Sequence, residues 1–127
     1  MRFTKWEFAG KLYYLSFNGA AMHMASDLGV QDLTEPITNK GREYFSTLCK
    51  IAAIMIEQGE LVRRYMGYDP GNVIDASTLE IAITPYTDIT LRNAMMQAVV
   101  DGYSSEIRQT DEVDLGLLEL QKKNVKG

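Results

Sequence analysis

The sequence predicts a mostly α-helical (α+β) fold, in which an N-terminal β-hairpin is followed by about five helical segments with one long central helix. Apolar residues alternate with polar ones only near the N-terminus, whereas further along the chain they recur every three or four residues. The chain has 127 residues, a length suited to one domain. We expect a single globular domain over residues 1–103, followed by a polar connector and a C-terminal helix or tail over residues 104–127.

The β region spans residues 3–17. Residues 4–8 alternate between apolar and polar, Ala9-Gly10 breaks the pattern, and an apolar stretch follows. This arrangement is typical of two strands joined by a tight turn. Because an isolated two-stranded hairpin is marginal in water, it must pack on helices or pair with another chain. The second strand is apolar on both faces, with Tyr13, Leu15 and Phe17 on one face and Leu12 and Tyr14 on the other.

Capping residues place the first helix. Asn18 is a good N-cap, and Gly29 stands where a helix needs a left-handed C-terminal residue. These signals predict a short helix over about 19–28, followed by a connector at 32–36.

A long helix over about 39–66 is the expected spine of the domain, because its apolar residues fall near one face. Gly59 lies within it and predicts a kink, since glycine weakens a helix by about 1 kcal/mol relative to alanine. Glu60 and Arg64 are four residues apart, which favours a surface ion pair worth a few tenths of a kcal/mol.

Turn residues separate the long helix from the C-terminal half. Residues 68–72 predict a type II turn with Gly71 at positive φ. A short helix is expected over about 76–83, with Asp75 or Ser77 as its cap.

Thr84-Pro85 predicts the start of another helix that runs to about Tyr103, with Gly102 as its stop and Asp88–Arg92 as a surface pair. A last helix is expected after Thr110. Seven residues on the helical faces are predicted to be core: Leu48, Ile51, Ala52, Met55, Ile89, Met95 and Val99.

Composition excludes several functional classes. A single cysteine rules out an internal disulfide framework and a thiolate zinc site, and a net charge of -4 disfavours a nucleic-acid groove. The longest wholly apolar run, at 51–56, has about a third of the residues needed to span a bilayer. We therefore expect a cytoplasmic protein that binds neither nucleic acid nor membrane.

The search for reaction chemistry predicts no catalytic, metal or cofactor site. His23 and Asp27 are interpreted as a helix-surface pair that lacks a nucleophile, and Cys49 as a small buried hydrophobe. The oxygen-bearing residues at 69–75 lack the ligand order of a calcium loop. The remaining candidate is an interaction surface, and docking of the tail on its own core stays open as the alternative. The predicted partner contacts are Leu12, Tyr14, Leu117, Leu118 and Leu120.

The order of these features resembles a known family. Residues 10–18 read Gly-Lys-Leu-Tyr-Tyr-Leu-Ser-Phe-Asn and enter a helix closed by Asp27-Leu28-Gly29, and a later helix ends in Val-Val-Asp-Gly-Tyr at 99–103. Over about residues 3–103 this is similar to the tail assembly chaperones of long-tailed (siphovirus-type) phages and prophages. The match is one of pattern and order.

The resemblance implies a non-catalytic protein that binds the tape-measure protein, keeps it soluble, helps recruit tail-tube protein and is absent from the mature virion. A homo-oligomer is compatible with it. Two alternatives stay open: another phage structural protein, such as a head–tail connector or tail-completion protein, and a small regulatory or ligand-binding module.

Overall fold

The computed structural model describes the backbone of residues 3–114 and the side chains of residues 3–104. A two-stranded antiparallel sheet is followed by five helices, as the sequence predicts, and the fold is mixed α+β and mostly helical. The elements are β1 (Thr4–Phe8), β2 (Lys11–Leu15), α1 (Gly19–Asp27), α2 (Thr34–Thr38), α3 (Arg42–Tyr65), α4 (Ala76–Ala82) and α5 (Pro85–Asp114).

The hairpin joins the two long helices. Its turn places Ala9 and Gly10 at φ values of 52° and 77°, the left-handed pair that a two-residue type I′ connection requires. Trp6 and Phe8 stack on the inner face with ring centroids 4.7 Å apart. The Trp6 indole Nε1 donates a hydrogen bond of 3.0 Å to Thr90 Oγ1 on α5. The inner face of the hairpin is thereby fixed to α5, while β2 packs along α3.

Two glycines permit close backbone packing. A Cβ added at Gly59 would lie less than 3.0 Å from the carbonyl oxygen of Tyr14, and one at Gly102 would meet the carbonyl oxygen of Phe17 in the same way. Gly59 lies inside an uninterrupted α3, and the absence of a Cβ there admits β2. Gly102 was expected to stop its helix, but α5 continues to Asp114.

Local capping signals are confirmed. Asn18 Oδ1 accepts a hydrogen bond from the Ala21 amide at 2.9 Å, and Asp75 Oδ1 accepts one from the Thr78 amide at 2.8 Å. Gly29 has a φ of +86° directly after α1. These contacts satisfy donors that a helix end leaves without partners, so short sequence motifs were sufficient to locate these ends.

The predicted connector at 32–36 is partly helical, because α2 begins at Thr34. Arg92, which was expected at the surface, is 8% exposed and lies between Asp88 and the C-terminal end of α2. Its Nε donates to both carboxylate oxygens of Asp88, and its Nη1 donates to the carbonyl oxygens of Pro36, Ile37 and Asn39. A cation at a helix C-terminus complements the helix dipole, so Arg92 stabilises a helix of only five residues.

The predicted type II turn is also wrong. Gly71 does not have positive φ; the left-handed glycine is Gly67, at +95°, just after α3. Residues 68–75 have no regular secondary structure. The Gly71 amide donates to Glu60 Oε1 instead, and that contact shapes the segment.

The core includes six of the seven predicted residues, and Ile89 is the exception. Ile89 is 49% exposed because it lies about 120° around the helix from the buried Met95. Leu79 and Leu91 are fully buried instead. No helix within residues 3–114 is both long and apolar enough to span a membrane.

We predict that Gly59→Ala destabilises the protein by about 3 kcal/mol or more, because the added methyl group cannot coexist with the Tyr14 carbonyl. Chemical denaturation measures the change. Gly19→Ala is the matched control: a Cβ there meets nothing within 4 Å, so we expect a gain of up to about 1 kcal/mol. Equal, small effects of both changes would contradict the packing role of Gly59.

Candidate interaction surface

The outer face of β2, where partner contacts were predicted, is partly covered by the chain itself. The Tyr14 ring lies edge-on to Phe3, with centroids 5.1 Å apart, and the Arg63 guanidinium lies 4.2 Å from the Tyr14 ring centroid. Tyr14 is therefore half-buried. Leu12, at 38% exposure, is the more accessible of the two predicted strand contacts.

Glu60 attaches residues 68–75, the irregular segment that follows α3, to that helix. It is 2% exposed, although it was expected in a surface pair, and its Oε2 accepts a 2.6 Å hydrogen bond from Arg64 Nε. Its Oε1 accepts from the Gly71 amide and lies 3.6 Å from Arg63 Nη1. Burial acts to raise the pKa of Glu60, but these hydrogen bonds and the two arginine charges outweigh it and lower the pKa overall. The carboxylate is thus ionised and links α3 to the following segment.

Arg63 and Asn72 complete this attachment. Arg63 Nη1 donates to the Asp69 carbonyl at 2.9 Å, and Asn72 Nδ2 donates to the Leu12 carbonyl at 3.1 Å. Asn72 was considered as a metal ligand with Asp69 and Asp75, but its amide and the Asp75 carboxylate have structural roles. Within the described residues, no three His, Cys, Asp or Glu side chains gather in a way that could hold a metal ion.

Cys49 and the His23–Asp27 pair, the candidates for nucleophilic or acid–base chemistry, differ in burial. Cys49 is fully buried, as predicted, and burial raises the pKa of its thiol to about 11. The thiol is therefore protonated at neutral pH and enclosed in the core. His23 and Asp27 are both exposed on α1, which agrees with their interpretation as surface residues.

A mostly apolar stripe on α5, interrupted by the polar Asn93, was missed by the sequence reasoning. Its residues follow a strict three-then-four spacing on the side of the helix turned away from Leu91 and Met95. We call this stripe the outer seam; it consists of Tyr86, Ile89, Asn93, Met96, Val100 and Tyr103.

The outer seam is accessible over most of its length. Tyr86 is 73% exposed, Tyr103 65%, and Ile89 and Val100 nearly half. Met96 is half-buried and joins the seam to the core. Helix α5 is therefore apolar on two sides, one packed on its own domain and one open among the described residues.

The signal for the outer seam was present in the sequence. Ile89 was assigned to the core by hydrophobicity, although its spacing to Asn93, Met96 and Val100 places it in a separate stripe. The predicted contacts at Leu117, Leu118 and Leu120 lie outside the described residues.

Comparisons of the chain with protein-family models, with curated proteins and with solved structures found no match.

We predict that Glu60→Gln lowers the free energy of unfolding at pH 7 by about 1–3 kcal/mol, because a buried charge-assisted contact is lost. The folded-state pKa of Glu60 is lowered, so its contribution is present above the ordinary pKa of 4.5 and disappears as the pH falls through the folded-state value. The difference between wild type and variant should therefore shrink below about pH 4.5.

Denaturant titrations over a pH series measure this difference. Glu57→Gln, at an exposed position on the same helix, is the matched control and should change stability little. A gap between wild type and Glu60→Gln that stays constant down to pH 3, roughly, would contradict an ionised, buried Glu60.

Proposed function

We propose that this protein is a non-catalytic tail assembly chaperone of a long-tailed phage or prophage. In this role it binds and solubilises the tape-measure protein in the host cytoplasm, helps recruit tail-tube subunits and is absent from the mature virion. The proposal combines the order of sequence features over residues 3–103 with one structural observation, the outer seam of α5.

The outer seam supports a helical partner. Its apolar residues, which lie on either side of the exposed Asn93, can pack against another helix that inserts its own side chains between them. The aromatic ends, Tyr86 and Tyr103, supply large contact areas at small cost in side-chain entropy. A tape-measure protein, which the resemblance makes the partner, is long, hydrophobic and mostly helical.

The charge of the chain suits this role. A net charge of -4 favours solubility of a complex whose partner is hydrophobic, while apolar contact supplies the binding free energy. In the same proposal Leu12 and the C-terminal residues Leu117, Leu118 and Leu120 add contacts beyond the outer seam.

The first test is the gene neighbourhood, where a very long helical reading frame should lie immediately downstream. The product of that frame is then co-expressed with this protein. We expect the partner to move from the insoluble to the soluble fraction and to co-purify. Failure of both effects would contradict the proposal.

The second test locates the binding site. The double variant Ile89→Ser/Val100→Ser should lower partner recovery at least about tenfold, because two apolar contacts in the middle of the seam are removed. Ile81→Ser is the matched control: Ile81 is 86% exposed but lies on α4, away from the seam. Equal recovery with both variants would remove the outer seam from the binding site.

Purified particles separate the proposal from its main alternative. A connector or tail-completion protein stays in the particle, whereas a chaperone does not. Detection of this chain in mature virions by mass spectrometry, at a fixed copy number, would favour the structural role.

A further inference from the structure

The hairpin turn determines which backbone groups of β1 point outward. Phe8 is paired with Lys11 across the two-residue turn, and Trp6 with Tyr13. The pair beside such a turn is hydrogen-bonded, and hydrogen-bonded and open pairs alternate along an antiparallel ladder. The amide and carbonyl groups of Lys5 and Glu7 therefore point away from β2.

The opposite edge of the hairpin is closed. On β2 the Leu12 carbonyl accepts from Asn72, and the Tyr14 carbonyl lies against Gly59 of α3. Just beyond the strand, the Ser16 amide donates to the Met55 carbonyl at 3.0 Å. An additional strand cannot pair with β2.

The edge of β1 is different. Helix α5 packs on β1, through contacts such as Trp6 with Thr90. Among the described residues, no hydrogen bond beyond the hairpin reaches the backbone of Lys5 or Glu7. Their side chains are exposed on the outer face. Unpaired strand edges are templates for another strand.

We propose that the β1 edges of two copies of this chain pair antiparallel about a twofold axis at Trp6, which gives a four-stranded sheet. The charges select the second copy and its register. With Trp6 opposite its own counterpart, Lys5 lies opposite Glu7 of the second copy, and the symmetry repeats this attractive pair.

The neighbouring registers are excluded by the same two residues. Outward-pointing residues must face each other across the new ladder, so the alternatives place Lys5 opposite Lys5 or Glu7 opposite Glu7 of the second copy. Like charges directly opposite are destabilising. This inference goes beyond the chaperone role and does not depend on it, because it rests on the hairpin and not on the outer seam.

The test uses the full chain in sedimentation equilibrium over a concentration series. We expect a monomer–dimer equilibrium in the wild type. Lys5→Glu and Glu7→Lys each create two like-charge pairs and should weaken dimerisation about tenfold or more. The combined swap Lys5→Glu/Glu7→Lys restores opposite charges and should return the dissociation constant to within about threefold of wild type.

Because both side chains are exposed, we expect all variants to keep the fold, and circular dichroism checks this. Hydrogen exchange gives a second readout: the Lys5 and Glu7 amides should gain protection as the concentration rises. A monomeric wild type, a swap that fails to restore dimerisation, or a dimer broken by Val100→Ser but not by the single charge changes would overturn the proposal. The last result would place the interface on the outer seam.

Discussion

Contact between the backbone of β2 and the backbone of α3 is the constraint on which the rest of the structure depends. It requires a residue without a Cβ at Gly59, and it places the Tyr14 and Leu15 segment directly against the helix. With β2 fixed there, the pleat directs Trp6 and Phe8 towards α5. Gly102 in the same way lets α5 approach the backbone of Phe17, where the chain leaves the hairpin. The two long helices make few direct contacts, and the hairpin connects them.

Two buried charges attach the irregular segments to this framework. Glu60 binds the segment after α3 through a backbone group 11 residues away, and Arg92 binds the end of α2 through one 55 residues away. Each charge is also paired with a neighbour on its own helix. A buried ion with several hydrogen bonds avoids most of the desolvation penalty that an unpaired ion would suffer. The loops are thus held by electrostatics where the helices are held by apolar packing.

Local chemistry was predictable from the sequence, whereas long-range burial was not. The hairpin turn, the Asn18 and Asp75 caps and the Gly29 helix end follow from interactions within about four residues. The i,i+4 spacing of Asp88 and Arg92 identified the pair, but burial is decided by a segment more than fifty residues earlier. The roles of Gly59 and Gly102 depend on the distant backbone segment that packs against each of them, and no local sequence pattern identifies that segment. On α5, hydrophobicity alone does not distinguish Ile89 from the core residues, whereas its spacing to Met96 and Val100 places it in the outer seam.

The hydrogen bond between Trp6 and Thr90 joins residues 84 positions apart and has a consequence for biosynthesis. The hairpin leaves the ribosome before the helices and can close its turn at once, because its pairing is local. Its inner face, with Trp6 and Phe8, stays uncovered until α5 has emerged, and α5 is translated last among the described elements. At elongation rates of about 5–20 residues per second, this leaves an aromatic surface exposed for several seconds. The nascent chain therefore passes through a stage in which the inner face of the hairpin lacks its partner, and packing of that face depends on α5.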